Sequence, residues 1–312
     1  MNNRFGGVGD GTTSNTQAFK AAVNYLSQYS SDGGGQLYVP PGRWLTGSFN
    51  LTTHFTLYLD KEAVLLGSQV TISFLHFRLN FFLFCRCKGR TTIVPVTSLN
   101  TDGINSDSCT NTKIEDYYIV SGDDCVVVKS GWDEYGIAFG MPTKQLVIRR
   151  LTWLSLDSAV IALGSEMSGV LQDVRAEDIT AINSESGVRI KTAMGRGGFV
   201  KDIYVRDMKL STMKWAFWMT GNYGSHPDHN YDPNAIPLIQ NINYHNMVVE
   251  NVTMASRLEG ISGEGISGDP LTGICISNVT IGLAQISRKL KWNCTDIVGV
   301  KSIRQAIKSY TY

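Results

Sequence analysis

Ile203-Tyr204-Val205-Arg206-Asp207-Met208, Ile242-Asn243-Tyr244-His245-Asn246-Met247 and Ile274-Cys275-Ile276-Ser277-Asn278-Val279 share one pattern: an apolar residue, four mostly polar residues and a second apolar residue. The same hexad occurs at Ile114–Ile119, Leu146–Leu151 and Val174–Ile179. Its starts recur roughly every 30 residues, the mark of stacked repeats. Each repeat carries a second β-rich run: Val126-Val127-Val128, Val160-Ile161-Ala162-Leu163, Val188-Arg189-Ile190 and Phe217-Trp218-Met219. No helical period of a dozen residues intervenes, so leucine-rich and ankyrin arrays fit poorly. The reading is all-β: a right-handed parallel β-helix over about residues 35–285. Its expected core contains Ile114, Val126, Val128, Ile161, Val174, Val188, Ile190, Ile203, Ile242 and Ile274.

Working outward, Ala18, Phe19, Ala22, Val23 and Leu26 follow helical spacing, with Ser14 or Asn15 as cap. A helix there would close one end of the solenoid and shield its strand edges. With 312 residues, 31 glycines and 18% charged residues, the chain suits one elongated domain, residues 1–312. A net charge of +1 points to neither nucleic acid nor a membrane surface. Ile72 to Cys85 is apolar but too short to span a bilayer and is broken by His76 and Arg78. Met1-Asn2-Asn3-Arg4 begins no signal-peptide pattern. Sequons stand at Asn50, Asn251, Asn278 and Asn293. Asn251 and Asn278 are read as equivalent repeat positions, where Asn serves a turn. The six cysteines (85, 87, 109, 125, 275 and 294) imply no particular pairing.

Aligning the second strands places charge. Asp124-Cys125-Val126 matches Ser158-Ala159-Val160, Ser186-Gly187-Val188 and, one repeat earlier, Asp102-Gly103-Ile104. With coils about 4.8 Å apart, Asp102 and the Asp123/Asp124 pair fall on one corner. Arg189 and Lys191 lie two coils further, and their i, i+2 relation aims both at one face. Adjacent Asp123 and Asp124 need a bend to reach the same cleft. Acid–base cleavage of an acidic sugar polymer calls for this mixture: crowded carboxylates keep a proton available, and Arg and Lys hold a substrate carboxylate.

Asn100-Thr101-Asp102-Gly103, Gly122-Asp123-Asp124 and Arg189-Ile190-Lys191 resemble the signature of polygalacturonases, glycoside hydrolase family 28, and most of all its plant branch. The resemblance covers residues 5–69 and 93–295. It implies a pectin-lyase-like solenoid and hydrolysis of α-1,4 galacturonan with inversion, without cofactor or metal. By position it makes Asp123 the general acid, and Asp102 and Asp124 the pair that activates water. Arg189 and Lys191 would hold a galacturonate carboxylate, with Asn100, Glu166, Tyr223 and His226 as further substrate-binding candidates. The expected partner is a pectic polysaccharide, homogalacturonan or rhamnogalacturonan. The protein is expected as a secreted, cell-wall, glycosylated monomer.

Two departures stand against that pattern. A family Gly-His-Gly motif has no counterpart, since Leu163-Gly164-Ser165-Glu166 occupies its place. Either Glu166, or a neighbouring coil, substitutes for the His, or this branch works without it. Residues 70–92 show no coil pattern and stand where further coils are expected, and the tail after Asp296 is also unlike a coil. The loop Gly131–Lys144 carries Trp132, Tyr135 and Phe139, read first as loop packing. In Gly221–Pro237 the His226-X-X-His229 spacing is a poor metal signal. Lys129 is read as a solvated side chain. Alternatives to hydrolysis are a calcium-dependent lyase, and a catalytically impaired homologue that binds pectin.

Overall fold

The computed structural model describes residues 2–68, 77–80, 85–88, 91–93, 101–155, 158–224, 226–261, 271–284, 292–295 and 301–309. Asn100 and the phenylalanines Phe74, Phe81, Phe82 and Phe84 lie outside them. The chain winds as a right-handed parallel β-helix, and every strand pairing among the described residues is parallel. Three ladders of strands run along it. One ladder stacks Ile104, Val126, Ile161, Val188, Phe217, Ser256 and Trp292 in successive coils. The second stacks Leu146, Val174, Ile203, Ile242 and Ile274, and the third Leu151, Ile179, Met208, Met247 and Val279. In the second and third ladders apolar side chains thus stack on apolar ones, and all ten expected core residues are buried.

Corners explain the polar residues between the apolar ones. The strands Leu171–Lys191, Phe199–Thr220 and Leu238–Glu259 each turn through three left-handed positions. These are Asp173, Asp178 and Asn183; Asp202, Asp207 and Thr212; and Asn241, Asn246 and Asn251. Asp and Asn enter that conformation at low cost, and their side chains bond locally. Corners also bond coil to coil: the Asn278 amide donates to Asn246 Oδ1 at 3.0 Å, and Asn246 donates to Asp207. Asn278 therefore belongs to the Asp178–Asp207–Asn246 corner and Asn251 to the Asn183–Thr212 corner, so the two sequons are not equivalent.

The helix Thr16–Ser27 buries Ala18, Phe19, Ala22 and Val23, with Phe19 stacked on Phe49 at 4.5 Å. Asn15 is its N-cap by position, but its side chain is used elsewhere. Its Nδ2 donates to the carbonyls of Val8, Thr13 and Leu45, pinning the entering chain to the first coil.

The structure corrects four expectations of coil register and extent. Ile114 faces Ile148 and Ile119 faces Trp153, so the first hexad is displaced by two from the later ones. Val126 faces Ile161 rather than Val160. Within the segment read as lacking coils, Cys85–Lys88 and Thr91–Ile93 are strands paired in parallel with the coils on either side, and Phe77–Asn80 is a strand paired in parallel with 104–107. The tail strand Lys301–Ser309 pairs with 275–283 and continues the solenoid.

Candidate active site

Backbone pairing builds the corner first. Gly103 N–H donates to the Asp124 carbonyl at 2.8 Å and Asp123 N–H to the Thr101 carbonyl at 3.1 Å, setting Asp102 beside Asp124 one coil away. A β-carbon on Gly103 would lie 2.5 Å from the Cys125 carbonyl oxygen, so this approach requires glycine. The chain bends at Gly122 and Asp123 before the strand Val126–Lys129 begins. That bend lets both aspartates face the cleft, and one carboxylate oxygen from each of Asp102, Asp123 and Asp124 lies within 4.8 Å of the others.

Their environments differ. Asp123 is half-buried; its Oδ1 accepts from the Asp124 N–H and from Ser158 Oγ, each at 2.9 Å. Asp124 is buried, accepts the Ala159 N–H at 2.9 Å and pairs with Lys191 Nζ. Burial alone would raise its pKa. The charge and hydrogen bond of Lys191, the Ala159 N–H and the charge of Arg189 outweigh that and hold it below the ordinary carboxylate value. Lys191 loses basicity to burial but regains more from Asp124 and is raised overall. Asp102 is pushed up to about 7, first by burial and then by the charge of Asp124. Two neighbouring carboxylates thus carry opposite tendencies: Asp124 stays ionised and Asp102 keeps a proton.

Cations and aromatics complete the face. The Arg189 guanidinium lies 3.5 Å from the Trp218 ring centroid and 3.3 Å from Glu185 Oε2. Tyr223 stands near both cations, its ring 5.7 Å from Arg189 Cζ and 5.4 Å from Lys191 Nζ. Arg189, Lys191 and Tyr223 therefore gather beside the aspartates, as the i, i+2 spacing of the first two predicts.

Glu166 binds Lys129 Nζ at 3.1 Å. Lys129 is thus a partnered, mostly buried cation rather than a solvated one, and its charge acts on Asp102 against the upward push. His226 sits in a buried ionic cluster: its Nδ1 is 2.5 Å from Asp133 Oδ2, its ring stacks on Tyr231, and Arg196 bonds Asp133 Oδ1 at 2.5 Å. Arg196 also donates to the Tyr223 carbonyl at 3.1 Å, so this cluster ties the loop 131–142 to the segment bearing Tyr223. His229 adds no ligand to it, and among the described residues the metal-sized acidic group is the aspartate trio itself. Trp218, Asp133 and Arg196 escape a motif-based reading. Ser158 was visible as the repeat equivalent of the acidic corner, whereas the Asp133–Arg196 contact joins loops with no shared pattern.

Comparison with known proteins fits this corner. Residues 84–303 match the family model described as glycosyl hydrolases family 28. A "Probable polygalacturonase" of Vitis vinifera is 54% identical over 383 residues, covering 96% of this chain and 77% of the relative. That alignment exceeds the 312 residues present, so at least 71 of its positions (383 less 312) have no counterpart here. An endopolygalacturonase I of Aspergillus aculeatus is 31% identical over 40% of this chain and 30% of its own length. Among solved structures, an exopolygalacturonase of Thermotoga maritima superposes with a TM-score of 0.66 at 20% identity, over 97% of this chain and 90% of that one. The polygalacturonase of Erwinia carotovora gives 0.55 at 13% identity, over 94% and 95%. At those identities the superpositions bear on the solenoid alone. The family match over most of the chain, with the three acids, Arg189 and Lys191 gathered on one face, makes this protein a member of glycosyl hydrolases family 28.

Proposed function

We propose that the chain hydrolyses α-1,4 galacturonosyl linkages of pectin, outside the cell and as a monomer. The observation that carries the reading is the corner where Asp102 is pushed towards protonation next to an ionised Asp124, with Asp123 alongside and Arg189 and Lys191 on the same face. Asp123 donates the proton to the departing glycosidic oxygen. Asp124 and Asp102 together activate the attacking water: the ionised Asp124 takes its proton, and Asp102 positions it. Arg189 takes a galacturonate carboxylate in a planar contact, and Lys191 adds a charge while holding Asp124 ionised. Tyr223, Glu166 and His226 line or brace this binding face, and Asn100 precedes it in the chain. A rhamnogalacturonan backbone presents the same uronate chemistry and is the alternative substrate.

One observation favours a second route. An inverting pair of carboxyls is usually about 6.5–9.5 Å apart and a retaining pair about 5–5.5 Å. Here the nearest oxygens lie within 4.8 Å. Inversion is retained because three acids share the corner, so Asp102 and Asp124 can act jointly on water while Asp123 serves as acid. Digestion of polygalacturonate followed by proton NMR tests both points. New reducing ends that first appear as the β-anomer support inversion. Initial α-anomer would establish the covalent route, and unsaturated ends absorbing in the ultraviolet would make the protein a lyase.

A further inference from the structure

A groove lies on a second face of the solenoid, away from the aspartates. The ladder that stacks Leu146, Val174 and Ile203 inward turns the alternate residues outward, in two columns along the axis. One column holds Glu115, Arg149, Glu177 and Arg206 in successive coils. It is closed on itself: Arg149 pairs with Glu115 at 2.5 Å and reaches Glu177 at 3.8 Å, and Arg206 pairs with Glu177 at 2.5 Å. The other column holds Lys113, Val147, Arg175 and Tyr204. Three coil steps of about 4.8 Å make it about 14 Å long. The two columns enclose an open groove of about 530 Å³. Arg189 and Lys191 stand on a different ladder, the one through Val126 and Val188, so this groove is no part of their cleft.

Charge in the groove is one-sided. Lys113, Arg149, Arg175 and Arg206 line it together with one carboxylate, Glu177, which Arg149 and Arg206 already engage. Lys113 is exposed and makes no ion pair among the described residues. The Arg175 side chain is 61% exposed; it bonds Asp173 at the corner at 2.9 Å, and its guanidinium lies 5.9 Å from the Tyr204 ring centroid. Lys113 and Arg175 therefore stand two coils apart, about 10 Å, with Val147 between them and the exposed Tyr204 ring beyond. Cations of one sign along a concave strip attract an extended anion more than a compact one. An aromatic face at the end of the strip offers flat apolar surface to a sugar ring. With a net charge of only +1 on the whole chain, that attraction is local to this strip.

We propose that the groove of Lys113, Arg175 and Tyr204 is a non-catalytic anchoring site for an acidic polysaccharide, with carboxylates on the two cations and a sugar ring on Tyr204. The inference rests on the reading of the chain as a galacturonan hydrolase, whose substrate supplies such a polymer. The anchor holds the protein on the polymer while the cleft on the other face cleaves. It adds affinity for long chains by a second point of attachment and leaves the cleavage of short ones alone.

The test pairs binding of the full chain to immobilised polygalacturonate, measured in the Asp123→Asn background to suppress cleavage, with hydrolysis of trigalacturonate in the otherwise unaltered chain. Lys113→Gln with Arg175→Gln should weaken polymer binding about tenfold at low salt, the loss of two surface charge contacts. The difference should vanish near about 1 M salt, where charges are screened within about 3 Å. Tyr204→Leu should weaken polymer binding about two- to threefold, and this loss should persist in salt because stacking is not electrostatic. Trigalacturonate is too short to span both faces, and its hydrolysis should be the same in all three proteins. Unchanged polymer binding in the Lys113/Arg175 variant would overturn the anchor. Parallel losses of polymer binding and trimer hydrolysis would overturn it too, since the groove would then act only through the cleft. Tighter binding of polyglutamate than of polygalacturonate at the groove would assign it to acidic proteins and overturn the sugar reading. Groove-dependent binding of the polymer by a chain that hydrolyses neither substrate would uphold the anchor while overturning the hydrolase reading.

Discussion

Replacing Asp102 by Asn should make the protein more stable and less active, and the stability gain should depend on pH. The carboxyl is buried, and its pKa is moved from 3.8 to about 7 by that burial and by the charge of Asp124. A folded pKa above the unfolded value means that the protonated group favours the fold. This contribution is fully present below about pH 4 and is lost as pH rises through 7. Three units at about 1.4 kcal/mol each set a ceiling near 4 kcal/mol for the cost of carrying Asp102 ionised at pH 8. Asn carries no charge at any pH and escapes that cost. At about 2 °C per kcal/mol for a chain of this size, the variant should melt several degrees higher than the unaltered protein at pH 8 and within about one degree of it at pH 4. Circular-dichroism melts at the two pH values read this directly. Hydrolysis should fall by about 10²–10⁴-fold, the usual worth of an acid–base group. A variant equally destabilised at both pH values would refute the reasoning and make Asp102 a structural hydrogen-bonding residue.

Arg196→Met should cost about 3–5 kcal/mol in urea unfolding, because it strands the buried carboxylate of Asp133 without its cation. The same variant should raise KM more than it lowers kcat, since the Tyr223 carbonyl loses its Arg196 contact. Gly103→Ala should cost about 1–3 kcal/mol in the same assay, because the added methyl meets the Cys125 carbonyl and Ile119 Cγ2 at 2.5 and 2.7 Å.

How far the sequence alone carried these conclusions depends on what held each element. Val174, Ile203, Ile242 and Ile274 stack in one inward column. Apolar identity at a fixed interval was therefore enough to find it. Asp102 and Asp124 were placed together correctly because Ile104 and Val126 share that register. The alignment slipped where coils change length. Leu154 faces Val120 while Ile161 faces Val126, so the stretch 155–160 holds one residue more than 121–125 and shifts Val160 off Val126. The short strands between residues 77 and 93 were missed for another reason. A three- or four-residue strand is held by backbone pairing to the coils around it, and too few side chains take part to leave a period. His226 was legible as a polar loop residue but not as the partner of Asp133 and Arg196, since their contact spans loops far apart in the chain.

The measurement that bears most directly on the account compares the unaltered protein with Asp123→Asn, following both reducing-end release from polygalacturonate and calorimetric binding of oligogalacturonate. Asp123 touches the corner through Ser158 and the Asp124 N–H, contacts that an Asn carbonyl can still accept. The variant should therefore bind within about threefold of the unaltered protein, close to the margin expected for one retained hydrogen-bond set, while releasing no measurable reducing ends. Hydrolysis by Asp123→Asn at the unaltered rate would contradict the assignment of this corner as the catalytic centre.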